Sequence, residues 1–422
     1  MLWKVLIVAD DLTGAMDAAA QFAVRGLKTE LFLKPDAECG QESEVIVIDT
    51  ESRNLSASEA KKRVQAAVEP WLPVPSKGLL FKKIDSTLRG NVGSELETLL
   101  AVTHLKSAVV APAFPANARI VVGGHILVGQ VPLLRSYAGR DVYTPVHSSY
   151  LPELLRHQTS RPMTKITLQQ LEKGRDVVLT AFEEVLAKGK EIVLFDTAEQ
   201  EDLDLIVESV QVGRDNVIWV GSAGLAQALA DELAQDQPLE RTGTGPRQLK
   251  GKTLILYGSP NQVCKEQIAY LGEHLPAVPI KPVPVEIFQG ESDQEKVVSE
   301  YMTELKQGNV FALAVSCSNL SLDLPGGPKV SWAIRDFLAT LATRAIKEAG
   351  VTNLVLSGGD TARAVFERLG IAKVDLQTEL LPGIPVARAK EHTGCELAVI
   401  TKAGGFGPPD TLVQILAHTL QE

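Results

Sequence analysis

The sequence has 422 residues and a formal net charge of −10, from 42 lysines and arginines against 52 aspartates and glutamates. A usual single domain has roughly 100 to 200 residues, so two domains are expected. Hydrophobic residues at 45% and charged residues at 22% are typical of globular proteins and exclude a disordered chain, a coiled coil and a collagen-like rod. The acidic balance also argues against general affinity for nucleic acid or for an anionic membrane.

The cysteines and the lengths of the apolar runs indicate the cellular compartment in which the protein is expected. Four cysteines lie far apart without a C-x-x-C pair, which argues against a disulfide framework or a zinc cluster and suits a reducing cytosol. No apolar run approaches the ~18 residues that would span a bilayer. The opening segment MLWKVLIVADD reaches two aspartates before a secretory apolar region could be complete, so we interpret it as a first strand. A soluble, cytoplasmic protein is predicted.

Ten short apolar runs are predicted to be strands, and helical stretches follow most of them. Runs that are apolar at nearly every position are typical of parallel strands buried on both faces. Two helical stretches, AMDAAAQFAVRG and ARAVFERLG, end at Gly26 and Gly370, where glycine suits a left-handed C-cap. The pattern predicts an α/β protein with two domains, each a mostly parallel sheet flanked by helices. The strand segments, in chain order, are KVLIVAD, EVIVIDT, LLFKKID, SAVVAPA, EIVLFDT, VIWVGSA, TLILYGS, FALAVS, NLVLSGG and LAVITKA.

A polar segment marks the domain boundary. Residues 235–250 are rich in glycine and proline and lack apolar periodicity. We place the first domain at residues 1–236, a linker at 237–250 and the second domain at 251–422. In open parallel sheets the connections that leave the carboxyl ends of the strands line the ligand crevice. Helix starts in these connections also favour phosphate or carboxylate, so functional residues are sought there.

Acidic residues follow the first strand, and an arginine follows the second. Asp10 and Asp11 are adjacent at a strand end, where an aspartate commonly caps a helix. Paired carboxylates at such a point also bind polyol hydroxyls or accept a proton from one. Arg53 is either a solvated loop cation or a bidentate partner for a carboxylate such as that of a sugar acid.

The turn after the third strand, KKIDSTLRGN, is the richest in charge. Side chains alternate between the faces of a strand, so at least one of Lys82 and Lys83 is shielded from water and needs an anionic partner. One alternative is a structural ion pair between Lys83 and Asp85. Because Arg89 adds further positive charge, we favour an anion-binding role for this turn.

Four strand-to-helix turns in the second half consist of small residues, at 258–261, 316–319, 357–361 and 402–407. Glycine allows the backbone to approach a phosphate closely, and serine and threonine add donors without bulk. A single turn of this kind is most simply a helix cap. Together, SGGDT and KAGGFG predict a nucleotide site, in which Asp360 is a candidate to hold nucleotide or metal.

Seven motifs, in order over nearly the whole chain, resemble those of the four-carbon acid sugar kinase family: ADDLTGAMD, DTESRN, KKIDSTLRGN, APAFPANAR, VGSAGLA, SGGDTA and KAGGFG. The resemblance implies an ATP-dependent kinase that phosphorylates the terminal 4-hydroxyl of threonate, erythronate or 3-oxo-tetronate. It further implies that the N-terminal domain binds the sugar acid and the C-terminal domain binds ATP, with the active site in the cleft between them. Leu12 makes the opening motif more similar to the threonate and erythronate kinases than to the oxo-tetronate branch, which has Phe there.

The site residues follow from the same motifs. We expect Mg²⁺ to bridge the ATP phosphates without a dense protein cage, and therefore assign no metal ligand. We expect Arg53 and one of the two lysines to hold the substrate carboxylate, while an aspartate orients the attacking hydroxyl. Spacing does not identify the base, and the catalytic candidates are Asp10, Asp11 and Asp85. The full substrate set is Asp10, Asp11, Arg53, Lys82, Lys83, Ile84, Asp85 and Arg89, and the ATP set is Ser259, Ser357, Gly358, Gly359, Asp360, Gly404 and Gly405.

Three alternatives remain open at this point. A two-lobed, non-catalytic sensor of sugar acid and nucleotide has the same binding residues. A second alternative is a sugar-acid aldolase or isomerase, in which Lys82 or Lys83 would be the amine that forms a Schiff base. The 3-oxo-tetronate kinases lie within the same family. We expect no nucleic-acid or membrane partner, and a homodimer is compatible with the sequence.

Overall fold

The computed structural model describes residues 3–33, 43–75, 78–141, 143–189, 191–212, 217–234, 249–259, 261–283, 294–315 and 328–418. The chain divides into two compact units, Met1–Thr242 and Gly243–Glu422. Most of the predicted linker, and the predicted turn at 316–319, lie outside the described residues. The domain limits, the linker and the cleft between the domains therefore stay predictions.

Unit 1 contains, among its described residues, a sheet of eight strands in which all neighbours are parallel. The strands of unit 1, including three outside this sheet, are in chain order β1 (Val5–Ala9), β2 (Thr29–Phe32), β3 (Val45–Asp49), β4 (Leu79–Lys83), β5 (Ser107–Ala111), β6 (Arg119–Val122), β7 (His125–Val128), β8 (Val131–Pro132), β9 (Met163–Ile166), β10 (Ile192–Phe195) and β11 (Val217–Gly221). The spatial order is β2-β3-β1-β4-β11-β5-β10-β9, and β6, β7 and β8 form a separate small antiparallel sheet.

Helices pack against this sheet. They are α1 (Leu12–Ala23), α2 (Ala57–Val68), α3 (Val92–Thr103), α4 (Leu151–Arg156), α5 (Leu168–Leu171), α6 (Arg175–Ala187), α7 (Gln200–Val210) and α8 (Ala223–Ala234). Every residue of α1 is buried, as expected of a helix made mainly of alanine and other apolar residues. Helix α2 instead buries only Ala60, Val64 and Val68, four residues apart on one face, and begins with a capping box of Ser56 and Glu59.

Strand order fixes the position of the ligand crevice in unit 1. The chain runs from β1 to β2 and β3 on one side of β1, and then crosses to β4 on the other side. The carboxyl end of β1 is therefore a topological switch point, where the flanking connections diverge and leave a crevice. Strand β1 itself is completely buried, which makes it a rigid base for the residues that follow it.

Unit 2 has the same construction with an antiparallel addition. Along the chain its strands are β12 (Lys252–Tyr257), β13 (Ile280–Val283), β14 (Val310–Val315), β15 (Val351–Ser357), β16 (Lys373–Leu381), β17 (Ile384–Lys390) and β18 (Glu396–Lys402). Its described helices are α9 (Gln262–His274), α10 (Gln294–Gln307), α11 (Pro328–Ala349), α12 (Gly359–Leu369) and α13 (Thr411–Ala417). The spatial order is β13-β14-β12-β15-β18-β17-β16; β17 is antiparallel to both neighbours, and the other pairs are parallel.

The predicted fold class and all ten predicted strands are confirmed. Helix α12 ends at Gly370, whose φ of +65° is the left-handed cap that the sequence predicts. The missed strands have shorter or interrupted apolar runs. Strand β16, for example, has the sequence KVDLQTELL, in which polar residues separate the apolar ones. In the described residues, no helix is both long and apolar enough to cross a membrane.

Candidate active site

Arg53 and two aspartates form the centre of the site in unit 1. Arg53 follows β3, and its guanidinium donates from Nε and Nη2 to the two Asp10 carboxylate oxygens at 2.9 and 2.8 Å. Nη2 also donates to Asp11 Oδ1 at 2.5 Å. Asp11 has a second function as the N-cap of α1, where it accepts hydrogen bonds from the Gly14 amide and the Thr13 hydroxyl. The two adjacent carboxylates therefore share one cation.

The turn after β4 lies directly against Arg53. Gly90 has a φ of +89°, and a Cβ on it would lie 3.0 Å from Arg53 Cγ and 3.2 Å from Arg53 Cα. Asn91 donates to the carbonyls of Ser52 and Leu55, which flank the arginine in the chain. Glycine at position 90 thus permits a close contact that fixes the loop after β3 to the loop after β4.

The two lysines at the end of β4 have different partners. Lys82 is completely buried, and its Nζ lies 2.7 Å from Glu95 Oε2 on α3. Lys83 is also buried, but its Nζ donates to the carbonyl of Ile84 at 2.9 Å. A Cβ at Gly14 would lie 2.8 Å from the Lys83 Nζ, so the absence of a side chain on α1 makes room for this ammonium. Lys82 is neutralised inside the protein, whereas Lys83 has no carboxylate within 4 Å among the described residues.

Asp85 is held by the arginine that follows it. Arg89 Nε donates to Asp85 Oδ2 at 2.5 Å, and its Nη1 donates to Asp141 Oδ2 at 2.8 Å. The Thr87 hydroxyl also donates to Asp85 Oδ2. Within the described part of the chain, Asp85 Oδ1 accepts no hydrogen bond. The structural ion pair between Lys83 and Asp85 considered above does not form, because each residue has another partner.

Electrostatics keep these carboxylates ionised. Burial alone would raise the pKa of Asp85, but Arg89 and Arg53 together hold it well below the usual value. Burial likewise opposes ionisation of Asp10, and Arg53, with the two lysines, lowers the pKa of that carboxyl. Glu95 differs, since its burial, assisted by the charge of Asp10, raises its pKa despite the neighbouring Lys82. Asp85 is therefore a carboxylate at neutral pH, with one oxygen available.

Three turns of unit 2 converge at the carboxyl ends of β12, β15 and β18. A Cβ at Gly404 would overlap the Ser259 hydroxyl, and a Cβ at Gly258 would overlap the Thr361 hydroxyl. Gly358 has a φ of +100° and its amide donates to the carbonyl of Lys402 at 3.0 Å. Glycine is required here because three backbones meet where side chains would not fit.

The remaining ATP candidates lie around these turns. Gly359 and Asp360 open α12, Gly405 follows Gly404, and all three are at least partly exposed. The Ser357 side chain is fully buried and bonded to the Cys264 thiol at 3.3 Å, so only its backbone faces the turn. The seven ATP candidates thus lie in or beside the three turns of unit 2. The eight substrate candidates lie at or after the carboxyl ends of β1, β3 and β4 in unit 1, but the Ile84 side chain is completely buried in the hydrophobic core.

Gln267 is an organising residue that the sequence did not reveal. Its Nε2 on α9 donates to the carbonyls of Phe406, Gly407 and Pro408 at 3.0, 3.1 and 3.0 Å. Its Oε1 accepts from the Tyr257 hydroxyl at 2.9 Å. A completely buried amide therefore supports the end of the KAGGFG turn and the proline that follows it. Glu95 was missed as well, because nothing in SELETLL distinguishes it from a surface helix residue.

The chain is similar to known proteins over nearly its full length. A family model for a sugar-binding N-terminal domain matches residues 5–229, and a model for a nucleotide-binding C-terminal domain matches residues 254–412. The chain is 32% identical to D-threonate kinase of Salmonella typhimurium, with 98% of both chains covered. It is also 32% identical to D-erythronate kinase of Heliobacterium modesticaldum, with 99% of this chain and 97% of that one covered.

Two further proteins are similar to this chain at lower sequence identity. A 3-oxo-tetronate kinase of Salmonella typhimurium is 27% identical over 96% of each chain. A solved structure of a Haemophilus influenzae protein superimposes with a TM-score of 0.74 at 25% identity, over 98% of this chain and 99% of that one.

These matches and the site geometry define a two-domain protein in which a sugar-binding domain precedes a nucleotide-binding domain. The chain belongs to the four-carbon acid sugar kinase family, as its motifs indicated.

The buried Lys82–Glu95 pair gives a first prediction. Glu95→Ala leaves the Lys82 ammonium buried without a counter-ion, so the free energy of unfolding should fall by about 3–5 kcal/mol in a urea titration followed by tryptophan fluorescence. The double variant Lys82→Met, Glu95→Leu should recover most of this loss. Glu97→Ala, on the same helix but paired at the surface with Lys61, is the control and should cost less than about 1 kcal/mol. Equal losses for Glu95→Ala and Glu97→Ala would contradict the assignment.

A second prediction concerns Gln267. Gln267→Met removes the amide that donates to the Phe406, Gly407 and Pro408 carbonyls, which should lower the free energy of unfolding by about 1–3 kcal/mol. Amide exchange of residues 403–407 should also accelerate. Gln262→Met is the matched control, because Gln262 lies on the same helix with an exposed side chain. Unchanged amide exchange of residues 403–407 in Gln267→Met would show that Gln267 does not stabilise the conformation of this turn.

Proposed function

We propose that this protein transfers the γ-phosphoryl group of ATP to the terminal 4-hydroxyl of a four-carbon sugar acid, D-threonate or D-erythronate. The observation that carries the proposal is the arrangement at the switch point of unit 1, where cations and one open carboxylate oxygen lie around the ends of β1, β3 and β4. A small anion with several hydroxyls matches this mixture of charges. The family membership and the glycine-lined turns of unit 2 support ATP as the donor.

The substrate carboxylate is assigned to Arg53 and Lys83. Arg53 uses Nε and Nη2 on the two aspartates, and Nη1 donates to no acceptor among the described residues. Lys83 has donated one of its three N–H groups to Ile84 and retains two. Lys82 is not assigned to the substrate carboxylate, because its charge is already balanced by Glu95. Arg53 and Lys83 thus provide directed donors, and Asp10 and Asp11 keep the guanidinium in position.

Asp85 is the best candidate to orient and deprotonate the attacking hydroxyl. Arg53 donates to both carboxylate oxygens of Asp10, and both oxygens of Asp11 accept from Arg53, Gly14 or Thr13. Asp85 retains Oδ1, and Arg89 fixes the carboxylate through Oδ2. In the proposed step the hydroxyl oxygen forms a bond to the γ-phosphorus, the bond to the ADP oxygen breaks, and the hydroxyl proton passes to Asp85. Such transfer depends mainly on positioning and charge neutralisation.

The ATP phosphates are assigned to the backbone amides of the turns at 258–259, 357–360 and 404–405. Glycines there allow close backbone approach, and α12 begins at the second of these turns. Mg²⁺ belongs to the proposal as an ion held mainly by the ATP oxygens, which is its usual mode of binding in kinases. We place the reaction in the cytoplasm, where ATP is available.

A coupled assay for ADP release tests the proposal directly. D-threonate, D-erythronate and 3-oxo-tetronate isomers are offered with ATP and Mg²⁺, and turnover is expected with one or both of the first two. Binding of a tetronate and of ATP without any ADP release would favour the non-catalytic sensor. A substrate adduct trapped by borohydride without ATP would favour the aldolase, for which Lys83 is the more accessible amine because Lys82 is paired with Glu95.

Asp85→Asn should lower kcat on the order of 10²- to 10⁴-fold, because the amide keeps the shape but cannot accept the proton. Asp141→Asn is the matched control; it alters the other partner of Arg89 and should leave most of kcat intact. The pKa of Asp85 lies well below its usual value, so kcat should not fall through Asp85 protonation between about pH 5 and 8. Near-normal kcat in Asp85→Asn would remove this residue from the chemistry.

Gly404→Val should raise the KM for ATP, because a side chain there collides with Ser259 and obstructs the turn. The effect should be at least about tenfold, which corresponds to the loss of one good phosphate contact. The KM for the sugar acid should change little. Gly308→Ala is the control, since its Cβ would meet no atom closer than 3.5 Å. Unchanged ATP kinetics in Gly404→Val would contradict the assignment of this turn.

A further inference from the structure

A lysine without a counter-ion lies beneath the three turns of unit 2. Lys402 is the last residue of β18, and only 1% of its surface is exposed. Lys82 is equally buried and has Glu95 at 2.7 Å. Around Lys402, by contrast, the described residues place no carboxylate within 4 Å. An uncompensated buried ammonium is costly, so its presence calls for an explanation.

The surroundings of Lys402 are neutral and only weakly polar. Its Nζ lies 3.8 Å from Cys264 Sγ on α9 and 5.2 Å from the centre of the Tyr257 ring on β12. The third neighbouring element, β15, contributes Ser357, whose hydroxyl is bonded to Cys264. Burial raises the pKa of the Tyr257 phenol well above its usual value, so Tyr257 supplies no charge. Cys264 is thus the one titratable group that faces the ammonium and could take a negative charge, among the residues that the structure describes.

The position of Lys402 connects it to all three turns. Its carbonyl accepts the Gly358 amide at 3.0 Å, and its neighbour Cys264 donates to the Gly404 carbonyl at 3.2 Å. Ser259 is in contact range of both glycines. The ammonium therefore lies directly behind the backbone that we assign to the ATP phosphates.

We propose that Lys402 is a buried positioning cation whose counter-charge is the phosphate tail of the bound nucleotide. This inference rests on the nucleotide site proposed above and adds a named residue to it. Without ligand, burial lowers the pKa of Lys402 and favours the neutral amine, although Cys264 acts in the opposite direction. An arriving phosphate group favours the ammonium, because opposite charges attract strongly where water is excluded. Nucleotide binding should therefore be accompanied by proton uptake at a pH where the free amine is populated.

The test compares ligands that differ in their phosphates. Isothermal titration calorimetry measures the affinity of the full-length wild type and of Lys402→Met for ATP, ADP and adenosine. Lys402→Met should weaken ATP and ADP binding on the order of tenfold or more and leave adenosine binding unchanged. The stability of the variant should be equal or higher, because a buried amine without a counter-ion is replaced by an apolar chain of similar length. Lys390→Met, at an exposed position of β17, is the matched control and should alter no affinity.

A measurement on the wild type alone covers the case in which Lys402→Met does not fold. ADP is titrated at about pH 8.5, well above the phosphate pKa of about 6, in buffers of different ionisation enthalpy. Net proton uptake with ADP, absent with adenosine, supports the proposal. Absence of uptake, or equal weakening of all three ligands in Lys402→Met, overturns it while leaving the nucleotide site intact. A wild type that binds neither ATP nor ADP would overturn the proposed function as well.

Discussion

The contact between Arg53 and the two adjacent aspartates is the interaction on which the site of unit 1 depends. Asp10 is buried at the end of β1, and an isolated carboxylate there would be strongly disfavoured. Arg53 supplies two hydrogen bonds to it and a third to Asp11, which also relieves the repulsion between these neighbours. Gly90 then allows the loop after β4 to pack against the same arginine. One guanidinium thus aligns the connections of three strands.

The two units differ in how far their charged groups are paired within the protein. Around the switch point of unit 1, Asp10, Asp11, Asp85 and Glu95 each have a cationic partner within the protein. What remains is the Lys83 ammonium, a few directed donors and one carboxylate oxygen. Such a site selects a ligand by the placement of its hydroxyls. At the turns of unit 2, backbone amides and an ammonium without a carboxylate partner in the described residues leave the positive charge unbalanced. That arrangement suits a ligand carrying several negative charges, whose detailed shape matters less than its charge.

How far the sequence could predict the structure depends on the range of the interactions involved. Strands such as VLIVA and LLFKK are predictable because burial on both faces makes them apolar throughout, and the turns after them follow from strand order. The partners of the charged residues are not predictable in this way. Lys82 pairs with Glu95 because α3 packs on β4, and the choice of Arg89 over Lys83 by Asp85 depends on the local turn. Sequence reasoning placed these residues on neighbouring turns but did not predict how their charges pair.

The support of the KAGGFG turn by Gln267 has a consequence for engineering. The three carbonyls of this turn are held from α9, some 140 positions earlier in the chain, and Gln267 is in turn held by Tyr257 on β12. The conformation of the loop is thus encoded outside the loop. If only the glycines of this turn were transplanted into another scaffold, the loop would lack the hydrogen bonds that fix its conformation. The tyrosine and the glutamine would have to be transferred with it.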